Sequence, residues 1–137
     1  MRIVENVREM DRETVRAFPH LALTIGSFDG VHRGHQRILY ELIAAARERH
    51  GAAAVMTMRP HPRELFTPDN APNLLTSEKK KLALFEAAGV DAVLMLPFDW
   101  NVARMDRQEF LRDVICGNCR AEVLVVGHDF QFGSNAL

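Results

Sequence analysis

The sequence predicts an α/β fold, with a doubly wound parallel sheet covered by helices on both faces. Short runs that are apolar throughout alternate along the chain with segments that are apolar on one helical side only. Runs of the first kind are typical of parallel strands buried on both faces, and the helices between them supply the crossovers that parallel pairing requires. The length of 137 residues fits a single domain.

The elements follow one another in a regular order. Residues 2–7 suit a short edge strand, and the run HLALTIGSF at residues 20–28 predicts the first core strand. The next segment predicts a helix over residues 34–50, and Gly51 is placed to end it. Its apolar residues recur at the spacing of one buried helix face, namely Ile38, Leu39, Leu42, Ile43 and Ala46.

The second half of the chain repeats this alternation. A strand at residues 52–58 is followed by the proline-punctuated loop 59–72, then by a helix that begins near Thr76 or Ser77 and ends at Gly89. Further segments predict a strand at 91–96, a helix at 106–116 and a strand at 122–126. The helix at 106–116 is expected to face inward with Phe110, Leu111, Val114 and Ile115.

Composition limits the possible partners. The net charge is −1, from 17 basic and 18 acidic residues, so no overall field attracts nucleic acid or an anionic membrane. No apolar stretch approaches the roughly 20 residues of a membrane helix, and the charged N-terminus does not resemble a signal peptide. We therefore expect a soluble, cytoplasmic protein. Cys116 and Cys119 form one C-x-x-C pair, which we interpret as two buried or part-buried thiols rather than a zinc site.

Histidines concentrate at one edge of the predicted sheet. Ligands of such folds bind outside the carboxyl ends of the strands, near the point where the strand order reverses. Four of the six histidines fall in or beside the loops at that edge: His32, His35, His61 and His128.

The segment from Gly26 to His35 has the features of a phosphate-binding turn, which predicts a site for a nucleoside triphosphate. Its glycines permit a tight turn and close approach of a ligand, and the helix that starts near Gly34 directs unpaired N–H groups into the same space. His32 and His35 can donate hydrogen bonds to phosphate oxygens. The segment matches neither the dinucleotide G-x-G-x-x-G pattern nor the P-loop pattern. By spacing alone, a turn merely shaped by glycine, with His35 capping the helix, stays an alternative.

His32-Arg-Gly-His35 resembles the H-x-G-H motif of the nucleotidyltransferases, and LTIGSFDGVHRGHQ is similar to the FMN adenylyltransferase (FAD synthetase) domain of bacterial bifunctional riboflavin kinase/FAD synthetases. Later blocks agree in order: RPHPRELF, LLTSEKKKLALFEAAGVDAVLMLPF and VVGHDFQFG. The resemblance covers roughly residues 20–133. It implies a Rossmann-like fold of the nucleotidyltransferase type and transfer of AMP from ATP to FMN, giving FAD and pyrophosphate.

The resemblance also implies roles for single residues. His32 and His35 would stabilise the charge that develops on the phosphates, with Mg²⁺ bound through the ATP phosphates and no metal ligand from the protein. The substrate-binding residues would be Gly26, Ser27, Phe28, Asp29, Gly34, Pro60, His61, Pro62, Phe66, Asp129 and Phe130. The sequence departs from the family pattern at Ser27, at Met58-Arg59 and at Gln131, where asparagine, Phe-Asp and arginine are common.

The resemblance implies one domain over residues 1–137, ending before the family's second nucleotide-binding motif, with the riboflavin kinase domain absent. Such a chain is expected to be a fragment, a truncated form or a degenerate copy. Three further interpretations remain open: a module that binds FMN or ATP with little catalysis, an adenylyltransferase with another acceptor, and a metal-dependent phosphohydrolase. The hydrolase would use Asp29, His32, His35, His61 and Asp129 as ligands.

Overall fold

A computed structural model describes residues 1–26, 28, 33–59 and 74–127 of the chain. Three ends of these ranges lie within a helix or strand. At those places, only the backbone is described for residues 33, 59 and 74–78.

The described part contains one five-stranded sheet in which every pairing is parallel. Its strands are β1 (Arg2–Val4), β2 (Ala22–Ile25), β3 (Ala53–Arg59), β4 (Ala92–Pro97) and β5 (Val123–Val125). They lie in the order β1-β4-β3-β2-β5, so β1 is an edge strand, as predicted. All five predicted strands are confirmed, each within a few residues of its expected bounds.

The helices occupy both faces of the sheet. They are α1 (Arg12–Arg16), α2 (Arg33–Glu48), α3 (Leu74–Ala88), α4 (Trp100–Ala103) and α5 (Arg107–Phe110), and α5 continues as a π-helix over Leu111–Asn118. A 3-10 turn at Val7–Glu9 precedes α1. The chain steps from β2 to β3 to β4 in one direction and then returns to β5 on the far side of β2. Because crossovers of this kind are right-handed, that reversal places the later helices on the opposite face.

Two apolar layers hold these helices to the sheet. One layer lies under α2 and α3 and includes Leu39, Leu42 and Phe85. The other lies under the 3-10 turn, α4 and the π-helix and includes Phe110 and Val114. Successive residues of each central strand alternate between the two layers, which is why these strands are apolar throughout. The predicted doubly wound fold with helices on both faces is confirmed.

The end of α2 differs in detail from the expectation. His50 has a φ of 54° and takes the left-handed position that was expected at Gly51. The amide of Gly51 donates to the carbonyl of Ala46 at 2.8 Å and the amide of His50 donates to Arg47 at 3.1 Å, which closes the helix in a Schellman motif. Gly51 is needed for space, because a Cβ atom there would lie 2.1 Å from the carbonyl oxygen of His20.

The end of α3 is as predicted, whereas the exposure of its lysines is as predicted only in part. Gly89 has a φ of 98°, and the amide of Val90 donates to the carbonyl of Phe85 at 3.0 Å, so Gly89 ends the helix as expected. The sequence alone predicts that the run Lys79–Lys81 on this helix is a solvated face. Lys79 and Lys80 are exposed, but Lys81 is only 8% exposed, so the expectation is wrong for Lys81.

The inward face of the helix predicted at 106–116 is also partly wrong. Phe110, Val114 and Ile115 are buried as expected, but Leu111 is 43% exposed. The reason is the π-helix, whose hydrogen bonds reach one residue further than those of an α-helix, as in the bond from the amide of Cys119 to the carbonyl of Val114. The wider turn rotates Leu111 away from the face that a 3.6-residue period assigns to it.

Candidate functional site

The strand order reverses between β2 and β5, and the carboxyl ends of these neighbouring strands define the candidate site. Gly26 follows β2 and Gly127 lies just beyond β5. A Cβ atom on Gly127 would lie 2.9 Å from Cδ1 of Ile38, so the first turns of α2 pack closely against the end of β5. The start of α2 is therefore fixed beside the crevice in which ligands of this fold class bind.

The N-terminus of α2 supplies the chemistry that suits an anion. The helix is 16 residues long, and its first turn contains Gly34 and His35. The first four N–H groups of a helix have no partner within it, and the helix dipole adds partial positive charge at the same end. His35 is half-buried, so its imidazole lies at the boundary between the protein interior and this edge. Such an arrangement favours a phosphate group.

Phe28 forms the inner wall of this turn. Its side chain is 4% exposed, and its ring centroid lies 5.0 Å from that of His35, with the rings tilted by 57°. The same ring packs edge-on against Phe85 of α3, with centroids 5.3 Å apart and the planes at 83°. The side chain therefore joins the core under α2 and α3 and touches the candidate phosphate-binding histidine from within.

The backbone at Phe28 is strained, and packing holds it in place. Its φ of 53° lies in the left-handed region, which costs a non-glycine residue about 1–2 kcal/mol. Burial of a phenylalanine side chain provides about 1.5–3 kcal/mol, enough to offset that cost. Gly26 makes room for the ring, because a Cβ atom at position 26 would lie 3.0 Å from Cε2 of Phe28.

The structure brings together every predicted site residue that it describes. Gly26, Phe28, Gly34 and His35 all belong to the connection from β2 to α2 at the carboxyl edge of the sheet. The other predicted residues lie outside the described part of the chain: Ser27, Asp29, His32, Pro60, His61, Pro62, Phe66, Asp129 and Phe130. The sequence also predicts that His32 and His35 turn their ring nitrogens toward one cavity, and this stays a prediction because His32 lies outside the described part of the chain.

Of the histidines that the structure describes, the one predicted to lie at the carboxyl edge of the sheet does so. His35 lies at the carboxyl edge, whereas His20 precedes β2 and His50 precedes β3, at the amino edge. His20 Nδ1 lies 3.0 Å from Glu122 Oε2, and Arg49 donates to Glu122 Oε1 at 2.7 Å. These contacts, Arg49 first and then His20, hold the pKa of Glu122 below its usual range. Glu122 is thus part of an ion-pair cluster remote from the candidate site.

The two cysteines differ in exposure, and Cys119 is shielded from reaction. Cys119 is 2% exposed, and burial raises the pKa of its thiol to about 12, so it stays protonated at neutral pH. Cys116 is exposed, so the expectation of buried or part-buried thiols is confirmed for Cys119 and wrong for Cys116. Across residues 1–26, 28, 33–59 and 74–127, no group of three His, Cys, Asp or Glu side chains is arranged to hold a metal ion. Four of the five ligands of the hydrolase alternative fall outside these ranges, so that alternative is untested.

Two further observations concern the groove between α2 and α3 and the character of the helices. A groove of about 410 Å³ lies between α2 and α3, and its lining is mainly apolar. It contains none of the predicted site residues, so we place the candidate site at the sheet edge rather than in this groove. Of the helices that the structure describes, none combines the length and the apolar character needed to cross a membrane.

Sequence reasoning missed Phe85, whose contact with Phe28 joins α3 to the candidate site. Phe85 was recognisable as an apolar residue of the predicted helix, but nothing in the local pattern showed which residue it would touch. It also missed the role of Gly127 in the close approach of α2 to β5.

Comparison with known proteins identifies the family to which the chain belongs. The family model described as FAD synthetase matches residues 15–137. Among curated relatives, the bifunctional riboflavin kinase/FMN adenylyltransferase of Escherichia coli (strain K12) is 44% identical over 112 residues, which are 82% of this chain and 36% of the relative. The protein of the same name from Haemophilus influenzae is 38% identical over 119 residues, or 87% of this chain and 39% of the relative.

A solved structure has the same fold over nearly the whole chain. The crystal structure of a macrolide-efflux protein from Streptococcus pneumoniae aligns with a TM-score of 0.77 and 27% identity, covering 98% of this chain and 50% of that one. The chain spans little more than a third of the length of the curated relatives named above. Its match to the family model over residues 15–137 shows that the chain belongs to the FAD synthetase family.

Proposed function

We propose that this chain transfers AMP from ATP to FMN, giving FAD and pyrophosphate. The observation that carries the proposal is the position of His35 in the first turn of α2, at the point where the strand order of the sheet reverses. Membership of the FAD synthetase family supplies the identity of the substrates. Because the chain covers 36% of the Escherichia coli relative, that protein's activities extend to this chain only as part of this proposal.

The reaction is one displacement at phosphorus. A phosphate oxygen of FMN attacks the α-phosphorus of ATP in line, a new P–O bond forms, and the bond from the α-phosphorus to the bridging oxygen breaks to release pyrophosphate. The phosphate monoester of FMN is already anionic near neutral pH, so no general base is needed. The task of the protein is to align the two phosphates and to stabilise the charge on their oxygens.

The residues of the β2–α2 connection would perform this task. The N–H groups at the start of α2 and the imidazole of His35 would bind the phosphate oxygens, together with His32. Gly26 and Gly34 would allow the nucleotide to approach the backbone, with Ser27 and Asp29 beside it. Phe28 would act from the interior side, since its ring is buried.

Magnesium enters this proposal as part of the substrate. We propose that the ion arrives bound to the ATP phosphates, as the family resemblance implies, with no ligand from the protein. When bound, it neutralises charge on the phosphate oxygens.

The flavin side of the site would be formed by other loops. We assign Pro60, His61, Pro62 and Phe66, after β3, and Asp129 and Phe130, after β5, to binding of FMN. Both segments follow strands whose carboxyl ends lie at the same edge as Gly26. A full-length relative of this chain would carry a riboflavin kinase domain as well.

We place the reaction in the cytoplasm, where ATP and Mg²⁺ are available. The free thiols of Cys116 and Cys119 suit a reducing compartment.

The test is an end-point assay of the purified chain with FMN, ATP and Mg²⁺, with the flavins separated by chromatography. His35→Asn is compared with His50→Asn, which makes the same change at the other end of α2, where asparagine tolerates the left-handed backbone. We expect FAD from the parent chain and from His50→Asn, and a loss of about 10²-fold or more in His35→Asn.

Two other results would contradict the proposal in different ways. Equal FAD formation by His35→Asn and the parent chain would remove His35 from the mechanism. Binding of ATP and FMN without any FAD, in a folded parent chain, would favour the alternative of a binding module.

A further inference from the structure

Three rings form a continuous contact from α3 to the start of α2. Phe85 packs edge-on against Phe28 at 5.3 Å, and Phe28 packs against His35 at 5.0 Å. Phe85 is 1% exposed, so its ring is enclosed in the core. Phe28 contacts both of the other rings, and in the chain it lies in the connection from β2 to α2.

We propose that Phe85 is a positioning residue, which fixes the orientation of the His35 imidazole through the ring of Phe28. This proposal rests on the proposed function only in that His35 binds phosphate. Phe85 itself touches no substrate in this arrangement, since its ring is enclosed in the core.

The backbone of Phe28 explains why this contact matters. A phenylalanine at a φ of 53° returns to negative φ unless its surroundings oppose the change. The edge-on contact with the ring of Phe85 provides part of that opposition. If the ring of Phe85 is removed, Phe28 can relax into the vacated space, and His35 then loses the surface against which its imidazole packs.

The effect on the reaction follows from the geometry of phosphoryl transfer. A misplacement of about 1 Å at a group that stabilises the transition state can lower a rate about 10²-fold. Loss of a core ring elsewhere in the domain lowers stability but leaves His35 where it is. The two cases can therefore be separated by a matched substitution.

The experiment compares Phe85→Ala with Phe110→Ala. Phe110 is 2% exposed and lies in the core layer on the opposite face of the sheet, so the same side-chain deletion is made at equal burial and away from His35. The first measurement is the ¹H–¹³C NMR signal of the His35 imidazole, assigned with His35→Asn. The second is kcat for FAD formation, with KM for ATP. Phe85→Leu, which refills much of the ring volume, serves as the rescue variant.

We expect the His35 signal to move in Phe85→Ala and to keep its parent position in Phe110→Ala. We expect kcat to fall about 10–100-fold in Phe85→Ala, to change about twofold or less in Phe110→Ala, and to recover at least partly in Phe85→Leu. A His35 signal that stays in place in folded Phe85→Ala would overturn the proposal, as would equal kcat values for the two alanine variants.

The outcome is decided even if a variant fails to fold or if the parent chain makes no FAD. If Phe85→Ala does not fold, nuclear Overhauser contacts in the parent chain test the same arrangement: contacts from Phe85 to Phe28 and from Phe28 to His35 support it, and their absence overturns it. If the parent chain makes no FAD, the proposed function fails, while the His35 signal still tests the role of Phe85.

Discussion

Replacing Gly26 with alanine should disturb the candidate site through the ring of Phe28. The new Cβ atom would lie 3.0 Å from Cε2 of that ring, whereas carbon atoms in ordinary contact are about 3.5–4.0 Å apart. The overlap is therefore about 0.5–1 Å. Gly26 does not have a positive φ, so the backbone itself accepts alanine and the cost is one of packing alone.

The loss of unfolding free energy depends on how little the ring of Phe28 can move. Phe28 is buried and contacts both Phe85 and His35, so relief of the overlap displaces a ring that is already packed on more than one neighbour. Overpacking of this kind costs about 1–3 kcal/mol, and the loss of glycine freedom in the unfolded chain returns about 0.4–1 kcal/mol. The net loss is about 1.3 kcal/mol at the middle of these ranges and about 2.6 kcal/mol at most, which lowers the Tm by about 5–10 °C for a chain of this length. Because His35 shifts as well, the affinity for ATP should also fall.

The assay is thermal and urea unfolding followed by circular dichroism, with ATP binding measured by calorimetry. Gly127→Ala is the matched control: its Cβ atom would lie 2.9 Å from Ile38, but the atom it meets is the mobile Cδ1 end of a flexible side chain. It should stay within about 0.5 kcal/mol of the parent chain. Equal stability of the two variants would refute the idea that the Phe28 ring is held rigidly.

Other predictions concern the amino edge of the sheet and the thiols. Gly51→Ala places a Cβ atom 2.1 Å from the backbone oxygen of His20, which cannot rotate away, so unfolding free energy should fall by at least about 2 kcal/mol, and an unchanged urea midpoint would contradict this. The pKa of Glu122 is lowered in the folded chain, so its stabilising effect is complete above the usual carboxyl pKa of about 4.5 and is lost as the pH falls through the lower folded value. The difference in urea midpoint between the parent chain and Glu122→Gln should accordingly be present at pH 7 and shrink below about pH 4; a pH-independent difference would disprove the linkage. A thiol reagent at pH 8 should modify Cys116 at once and Cys119 only after denaturation, and two rapidly reacting thiols in the folded chain would contradict the burial of Cys119.

The main elements of the fold were predictable because burial leaves a strong periodic pattern. The strands are apolar on both sides, and α2 shows a clear buried stripe with Leu39 and Leu42 inside. The 3-10 turn, α1 and α4 were not predicted, since elements of three to five residues are too short to show a period. Their ends are set locally, as in α1, where the Asp11 side chain accepts a hydrogen bond from the amide of Thr14 at 2.8 Å.

The candidate site was predictable where it is local in sequence. Gly26, Phe28, Gly34 and His35 lie in one strand–turn–helix connection, so a single pattern identified them together. The contact of Phe28 with Phe85 joins residues far apart in the chain, and no local pattern records it. The burial of Lys81 was missed for a related reason. Three consecutive residues of a helix span about 200°, so the end of such a run can reach the buried side, and only the packing of α3 shows that Lys81 is the one that does.

The way α2 is fastened at its far end affects how its near end meets a ligand. The bond from Gly51 to Ala46 closes the last turn of α2, and the contact of Arg49 with Glu122 joins that turn to the residue before β5, about 24 Å from the first residue of the helix. The buried side chains of Leu39, Leu42 and Ala46 pack the same helix onto the sheet, and together these contacts oppose sliding along the helix axis. The amide groups at its start are therefore preorganised, so binding would incur little further loss of backbone entropy, and specificity for the rest of the ligand falls to the loops around them.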